Sequence, residues 1–520
     1  MGARGAVAAG HPLTAEAGAR VLRDGGNAVD AAVAAVLASF VTESPLTGLG
    51  AGGFMLVHDP SNEDVLLDFF VEVPGRSVGQ RRSQLVPIPV YFSPDQPQVF
   101  NVGAASCGVP GTAAGLAHAL DRFGSVPLAD LVREPARLAR DGVEVNAQQA
   151  FIFKILEPIL THQPEGAAIY APQGRILGEG ERFVFRELGD ALERYGVEGS
   201  APFYRGDLAR TISQWVIERG GTLGIDDLTA YEPRVREPVA ARYAGRDMLT
   251  NPPPSSGGVL IAYALALLDA AGSSDLATIV AAMEEAQVAR TEGFFHGLYA
   301  DGFEREFLAP QRLEEVAVRV RTGTRPPEPG KRGPGDRLGS TTHITAVDGD
   351  GRCAAVTCSN GTGSGVIVPG TGVHVNNMLG EEDLNPLGFH TTPPGRRVTS
   401  MMSPTVVLRE GQLELGLGSG GSNRIRSAVL QTIIRVIADG MDAQEAVSAP
   451  RVHFEAGAVQ AEPGVDEGGL DGLATRGYQL VHWQERNLFF GGVHAVARDP
   501  ATGELSGGGD PRRGGAVAYA

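Results

Sequence analysis

Residues 322–339, TGTRPPEPGKRGPGDRLG, constrain this 520-residue chain more than any other stretch. Four prolines and five glycines lie in these 18 positions. Proline removes a backbone donor and fixes φ, and glycine gives up the most entropy on ordering, so neither helix nor sheet is expected. The stretch reads as an exposed flexible loop. Directly after it the pattern becomes strand-like. Residues 341–347 alternate, Asp348-Gly349-Asp350-Gly351 supplies a turn, and residues 352–359 return.

The flanking pattern predicts a helix over 11–25 and a second over 28–40 that is apolar on nearly every side and therefore buried. Strands are expected at 54–58 and 65–70. A mostly helical region runs from 110 to about 223, followed by a strand pair over 239–249 and helices over 259–271 and 276–307. Beyond the loop, strand-like runs fall at 373–376, 405–408 and 413–417, before a helix over 423–439. There is no internal repeat.

Charge narrows the partners. Lys plus Arg is 44 against 61 Asp plus Glu, a net charge of −17, which argues against nucleic acid and anionic membranes. Only Lys154 and Lys331 are lysines, so Schiff-base or lysine–phosphate chemistry has little to draw on. Three cysteines cannot make a disulfide framework, and Cys353 and Cys358, five apart on one strand, must face opposite sides. The N-terminal residues lack a signal-peptide core, and residues 31–41 are too short to span a bilayer, so a cytoplasmic location is expected.

Gly48-x-Gly50-x-x-Gly53 fits a dinucleotide fingerprint only formally, because a helix precedes it and a strand follows. The 11 histidines show no metal spacing, and no GxSxG elbow occurs, so neither metal nor cofactor is expected. What remains is the junction Ser340-Thr341-Thr342-His343. Read locally, it is a strand of good strand formers. If the bond before Thr341 were cut, however, Thr341 would carry both a nucleophilic hydroxyl and an α-amine with a pKa near 8 able to take its proton. The same hydroxyl could make the cut by attacking the Ser340 carbonyl. Gly420-Gly421, before the helix over 423–439, reads either as an ordinary turn or as bare N–H groups for an oxyanion.

With these residues in view, the sequence resembles the γ-glutamyltransferase family of N-terminal-nucleophile hydrolases. Blocks carrying the resemblance run in order through the chain: HPLTAEAG (11–18), GGNAVDAAVAA (25–35), GLGAGGFMLV (48–57), NPPPSSGG (251–258), STTHITAVDGDG (340–351), NNMLGEEDLNP (376–386), MMSPT (401–405), GSGGSNRI (418–425) and DPRRGGAVA (510–518). The resemblance implies an αββα sandwich of the α+β class, built jointly by a large piece, 1–340, and a small piece, 341–520, of one self-cleaved precursor. It implies hydrolysis or transpeptidation of small γ-glutamyl amides through an acyl-enzyme on Thr341. Ser359 falls where the family has a second hydroxyl touching the nucleophile, and Gly420 and Gly421 fall on the oxyanion pair. Ser400 matches a serine that binds the donor carboxylate, Asn377 lies in a matching Asn-Asn pair, and Glu381 matches the acid that holds the donor amine.

The departures concern recognition of the donor. Phe70, in Asp68-Phe69-Phe70-Val71, stands in place of the arginine that clamps the donor carboxylate, and a phenyl ring cannot replace a bidentate ion pair. Met401 replaces a second serine, and the polar residue expected after Ser359 is Gly361 or is displaced to Asn360. A more apolar donor pocket follows, and with it a second reading as an acylase for a less charged amide. A third reading is an unprocessed, non-catalytic homologue, which would run as one uncleaved chain.

Overall fold

The computed structural model describes residues 4–61, 63–79, 84–93, 96–324 and 341–520. The loop expected over 322–339 therefore lies, from residue 325 on, outside the described residues, as does Ser340.

Two antiparallel sheets stack face to face. The first has seven strands in the order Ala516–Tyr519, Gly5–Ala9, Thr342–Asp348, Cys353–Ser359, Gly52–His58, Asp64–Phe69 and Arg234–Arg236. The second has six: Leu505–Gly509, Gly492–Arg498, Gln412–Gly420, Thr405–Arg409, Arg246–Thr250 and Val239–Tyr243. Helices Pro12–Arg23 and Ala28–Thr42 cover the outer face of the first sheet, and helices Ser256–Ala271 and Arg424–Ile437 cover that of the second. The layers are helix, sheet, sheet, helix, the αββα order. One apolar core lies between the first sheet and its helices; the other fills the space between the sheets and under the second helix layer. Cys358 belongs to the first core and Cys353 to the second, as their odd spacing requires; both are free, as is Cys107.

Local chemistry explains why these segments form. Every residue of Ala28–Thr42 is buried, which is what its all-round apolar sequence demands. Asn27 starts it with a capping box, its side chain accepting from the Val29 and Asp30 N–H groups while the Asp30 carboxylate accepts the Asn27 N–H. At the hairpin turn after Thr342–Asp348, Asp348 accepts the N–H groups of Asp350 and Arg352, and Gly351 takes φ +86°. The other carboxylate oxygen of Asp348 accepts the Ala28 N–H, tying the turn to the buried helix.

Strand Gln412–Gly420 shows a device that brings the sheets together. A Cβ on Gly416 would stand 2.5 Å from Cys353 Sγ, one on Gly418 2.3 Å from the His343 ring, and one on Gly420 2.2 Å from the Thr341 carbonyl oxygen. Alternate residues of a strand share a face. The LGLGSG spacing therefore leaves one face bare, and the first sheet lies directly on it.

Among the segments that depart from the expected pattern, three stand out. Gly5–Ala9 is a fully buried strand, concealed in sequence by its small residues. The helix expected over 276–307 is three pieces, Leu276–Val288, Glu292–Gly297 and Phe303–Phe307, with Thr291 capping the second and Gly302 at φ +74° preceding the third. A further helix, Pro310–Thr322, occupies the approach to the proline-rich stretch.

Candidate active site

Thr341 immediately precedes an inner strand of the seven-stranded sheet. Thr342 pairs with Cys358 across the hairpin, so the next rung places Thr341 opposite Ser359. The Thr341 hydroxyl donates to Ser359 Oγ at 3.2 Å, and Ser359 Oγ also accepts the Gly361 N–H at 3.0 Å. Both side chains are buried. The turn at 348–351 sets the hairpin register, and the register alone brings the two hydroxyls together.

Gly420 and Gly421 reach the same place from the other sheet. Gly420 ends its strand against the Thr341 carbonyl, and Gly421 leaves it at φ +128°, a backbone that glycine adopts without strain. Ser422 follows at φ +51° and leads into helix Arg424–Ile437.

A cleft opens on Thr341 and Ser359 and includes Phe70, Glu381, Ser400 and Met401. Met378, Leu384, Met402 and Ile425 make its remaining apolar wall, with Asp383 and Ser422 beside Glu381. Seven of the residues named from sequence thus line one cleft, Gly361 among them, and Gly420 closes against Thr341. Asn377 and Asn360 stand behind it. Asn377 donates to Glu381 Oε1 at 3.0 Å and to Thr362 Oγ1 at 2.9 Å, while Asn360 donates away from the cleft to the His374 carbonyl at 3.2 Å. A wider open groove bordered by Arg234, Pro253, Tyr299 and Arg396 contains none of these residues.

Phe70 is fully buried and stacks on Phe54 with ring centroids 5.2 Å apart. Its N–H donates to Asp68 Oδ1 at 3.0 Å, and its carbonyl accepts the Tyr231 hydroxyl at 2.8 Å. Arg397 lies close by but is fully engaged. It is buried, donates to Asp68 at 3.1 Å and Glu72 at 2.7 Å, and stacks on Tyr231. Among the described residues that line the cleft there is no arginine or lysine, and Glu381 and Asp383 are acidic. Ser400 Oγ accepts the Met402 N–H at 3.0 Å.

Sequence reasoning missed Arg513 and Glu43. The Arg513 guanidinium donates to the Thr341 carbonyl at 3.3 Å, and the buried Glu43 carboxyl accepts the Thr342 hydroxyl. Nothing local marks either residue, since they converge on Thr341 and Thr342 from distant segments. Gly50 and Gly53 serve packing, since a Cβ on Gly50 would lie 2.1 Å from the His374 carbonyl oxygen and one on Gly53 2.5 Å from that of Thr357, whereas Gly48 has open space beside it. Among the described residues no group of three His, Cys, Asp or Glu could hold a metal, and no helix is long and apolar enough to cross a membrane.

Comparison with known proteins fits this geometry. The profile of the family described as gamma-glutamyltranspeptidase matches residues 14–520. The chain belongs to the γ-glutamyltranspeptidase family. It is 31% identical over 521 residues to the acylase ACY 1 proenzyme of Pseudomonas sp. (strain V22), covering 97% of this chain and 92% of that one. It is 31% identical over 536 residues to the glutathione hydrolase proenzyme of Escherichia coli (strain K12), covering 98% and 90%. Among solved structures, a cephalosporin acylase from Bacillus halodurans superposes with a TM-score of 0.84 at 27% identity, over 99% of this chain and 96% of that one. By sequence this γ-glutamyltranspeptidase-family chain is thus equally similar, at 31% identity, to a relative named acylase and to one named glutathione hydrolase.

Proposed function

We propose that the chain is a self-processing threonine amidohydrolase and acyltransferase that cleaves γ-glutamyl amides by way of an acyl-enzyme on Thr341. The observation that carries the reading is the Thr341–Ser359 hydroxyl pair at 3.2 Å, open to a cleft and backed by Gly420. Maturation cuts the Ser340–Thr341 bond: Thr341 Oγ1 attacks the Ser340 carbonyl, the amide becomes an ester, and water hydrolyses the ester. Residues 1–340 and 341–520 are then two subunits of one fold.

In turnover the freed α-amine takes the Thr341 hydroxyl proton as Oγ1 bonds to the donor carbonyl carbon. Ser359 holds the attacking oxygen in line. The Gly420 and Gly421 N–H groups stabilise the resulting oxyanion. The C–N bond then breaks, the leaving amine carries off the proton, and water or a second amine attacks the acyl ester to regenerate Thr341. Glu381 holds the donor ammonium, with Asn377 fixing the Glu381 carboxylate.

Two bands on a denaturing gel, the smaller with Thr341 at its N-terminus, test the reading, and Thr341→Ala should merge them and abolish turnover. A single uncleaved band from the wild-type chain would instead identify a non-catalytic homologue. Phe70 and the lack of an arginine or lysine among the described residues that line the cleft favour the second reading, an acylase for a less charged donor. Four 4-nitroanilides separate the readings: γ-glutamyl, 4-aminobutyryl, glutaryl and butyryl. The first reading requires γ-glutamyl turnover. Turnover confined to donors without a carboxylate establishes the second.

A further inference from the structure

Thr341 borders two cavities. One is the cleft just described. The other lies on its far side and is lined by His11, Glu43, Thr342, His494 and Arg513, with Thr341 itself in the wall. Nothing in the proposed acyl transfer uses this second cavity, yet most of its lining residues are polar and it converges on the residue that would become an N-terminus.

Two oppositely charged side chains grip the first two residues of that terminus. Glu43 follows helix Ala28–Thr42, and its carboxyl accepts the Thr342 hydroxyl and, at 3.0 Å, the Thr14 hydroxyl. Gly10 leaves the room: a Cβ there would lie 2.3 Å from Glu43 Oε2. Arg513 donates to the Thr341 carbonyl and runs beneath both glycines of the oxyanion pair, 3.2 Å from where a Cβ on Gly420 would stand and 3.6 Å from one on Gly421. A chain end is ordinarily the part of a strand most prone to fray. Here the end would be pinned by one hydroxyl and one carbonyl.

We propose that Glu43 and Arg513 are positioning residues that anchor the N-terminus created at Thr341 and set the proton affinity of its amine from opposite sides. The inference rests on Thr341 acting as an N-terminal nucleophile. The other titratable groups facing the cavity do not compete. Burial holds His11 and His494 down to about 4, so both are neutral near pH 7. Asp510 and Arg424 act on Arg513 from behind. Burial raises Glu43 to about 7, against the Thr342 and Thr14 hydrogen bonds and the charge of Arg513, and burial lowers Arg513 to about 10, which leaves it charged. Above about pH 7, where Glu43 is ionised, an ammonium at Thr341 is thus stabilised by the Glu43 carboxylate, and it is destabilised by the Arg513 guanidinium.

The test is the acid limb of the kcat/KM–pH profile, measured on the matured protein with γ-glutamyl 4-nitroanilide or whichever of the four anilides is turned over best. Glu43→Gln keeps an acceptor for Thr342 but removes the charge, so the limb should move to lower pH by at least about half a unit. Arg513→Gln should move it to higher pH by a similar amount, with kcat falling more than KM rises, and Arg513→Lys should restore the wild-type limb. Shifts in the same direction, or no shift in either cleaved variant, overturn the proposal. If a charge-removing variant stays uncleaved, Glu43→Asp and Arg513→Lys decide the matter. Cleavage with a wild-type limb in both supports the charge assignment, and failure of both to cleave overturns it. A wild-type small fragment that does not begin at Thr341 overturns the nucleophile reading and this one together. A fragment that does begin there, with unmoved limbs, overturns this one alone.

Discussion

Thr341 has an ordinary hydroxyl, and its surroundings decide what that hydroxyl can do. Ser359 accepts its hydrogen bond and is itself held by the Gly361 N–H, so the pair has little freedom. Ser359→Ala should lower kcat by about 10²-fold with little change in KM, while Ser359→Thr retains most activity, measured by steady-state kinetics. At Phe70 the sequence already showed that a cation was missing; only the structure showed that no described lining residue supplies one, because Arg397 is committed to Asp68 and Glu72. Phe70→Arg would bury a guanidinium where Phe54 stacks. It should destabilise the protein by several kcal/mol, seen as a lower Tm, unless the donor carboxylate pairs with it.

At the scale of elements, the alternating glycines of Gln412–Gly420 matter most. Gly420→Ala would drive a methyl into the Thr341 carbonyl, 2.2 Å away, and shift both the proposed nucleophile and the proposed oxyanion donors. We expect loss of at least about 10²-fold in kcat/KM, together with slow or absent maturation on a gel. Helix Ala28–Thr42 is different in kind: Asn27→Ala removes its capping box and should cost about 1 kcal/mol in denaturant unfolding, with kcat unchanged. The elements most legible in sequence were those with strong periodicity or firm stops, such as this helix and the 341–359 hairpin. Gly5–Ala9 and Pro310–Thr322 were not, because alanine and glycine carry little strand signal and the adjoining proline-rich stretch masked the helix.

At the scale of the molecule, Thr342–Asp348 lies between Gly5–Ala9 and Cys353–Ser359, so any cut before Thr341 leaves the pieces sharing one sheet. Residues 1–340 and 341–520 should therefore co-elute on gel filtration and unfold in a single transition. Burial lowers the pKa values of His11, His343, His374 and His494. Below about 6.5 these four bind more protons in the unfolded chain than in the folded one, so they contribute stability that is full above pH 6.5 and lost as pH falls, for His11, His374 and His494 down to about 4. Glu43, raised to about 7, acts oppositely between 4.5 and 7 but is a single group. Thermal unfolding of an uncleaved Thr341→Ala chain should accordingly show Tm falling from pH 7 to pH 5.

The hairpin that presents Thr341 and the buried helix behind it are written in the sequence, as is Phe70, which stands where the family resemblance leads one to expect an arginine. Those features are local: turn chemistry, periodicity and residue identity act over a few positions. Only the packed fold shows that Gly420 and Arg513 meet Thr341 and Glu43 meets Thr342, that Asn360 turns away, and that the described lining of the cleft holds acids but no cation. Those facts depend on how two sheets approach across a bare glycine face, and the contacts join residues up to 299 positions apart in the chain. No local pattern encodes separations of that length.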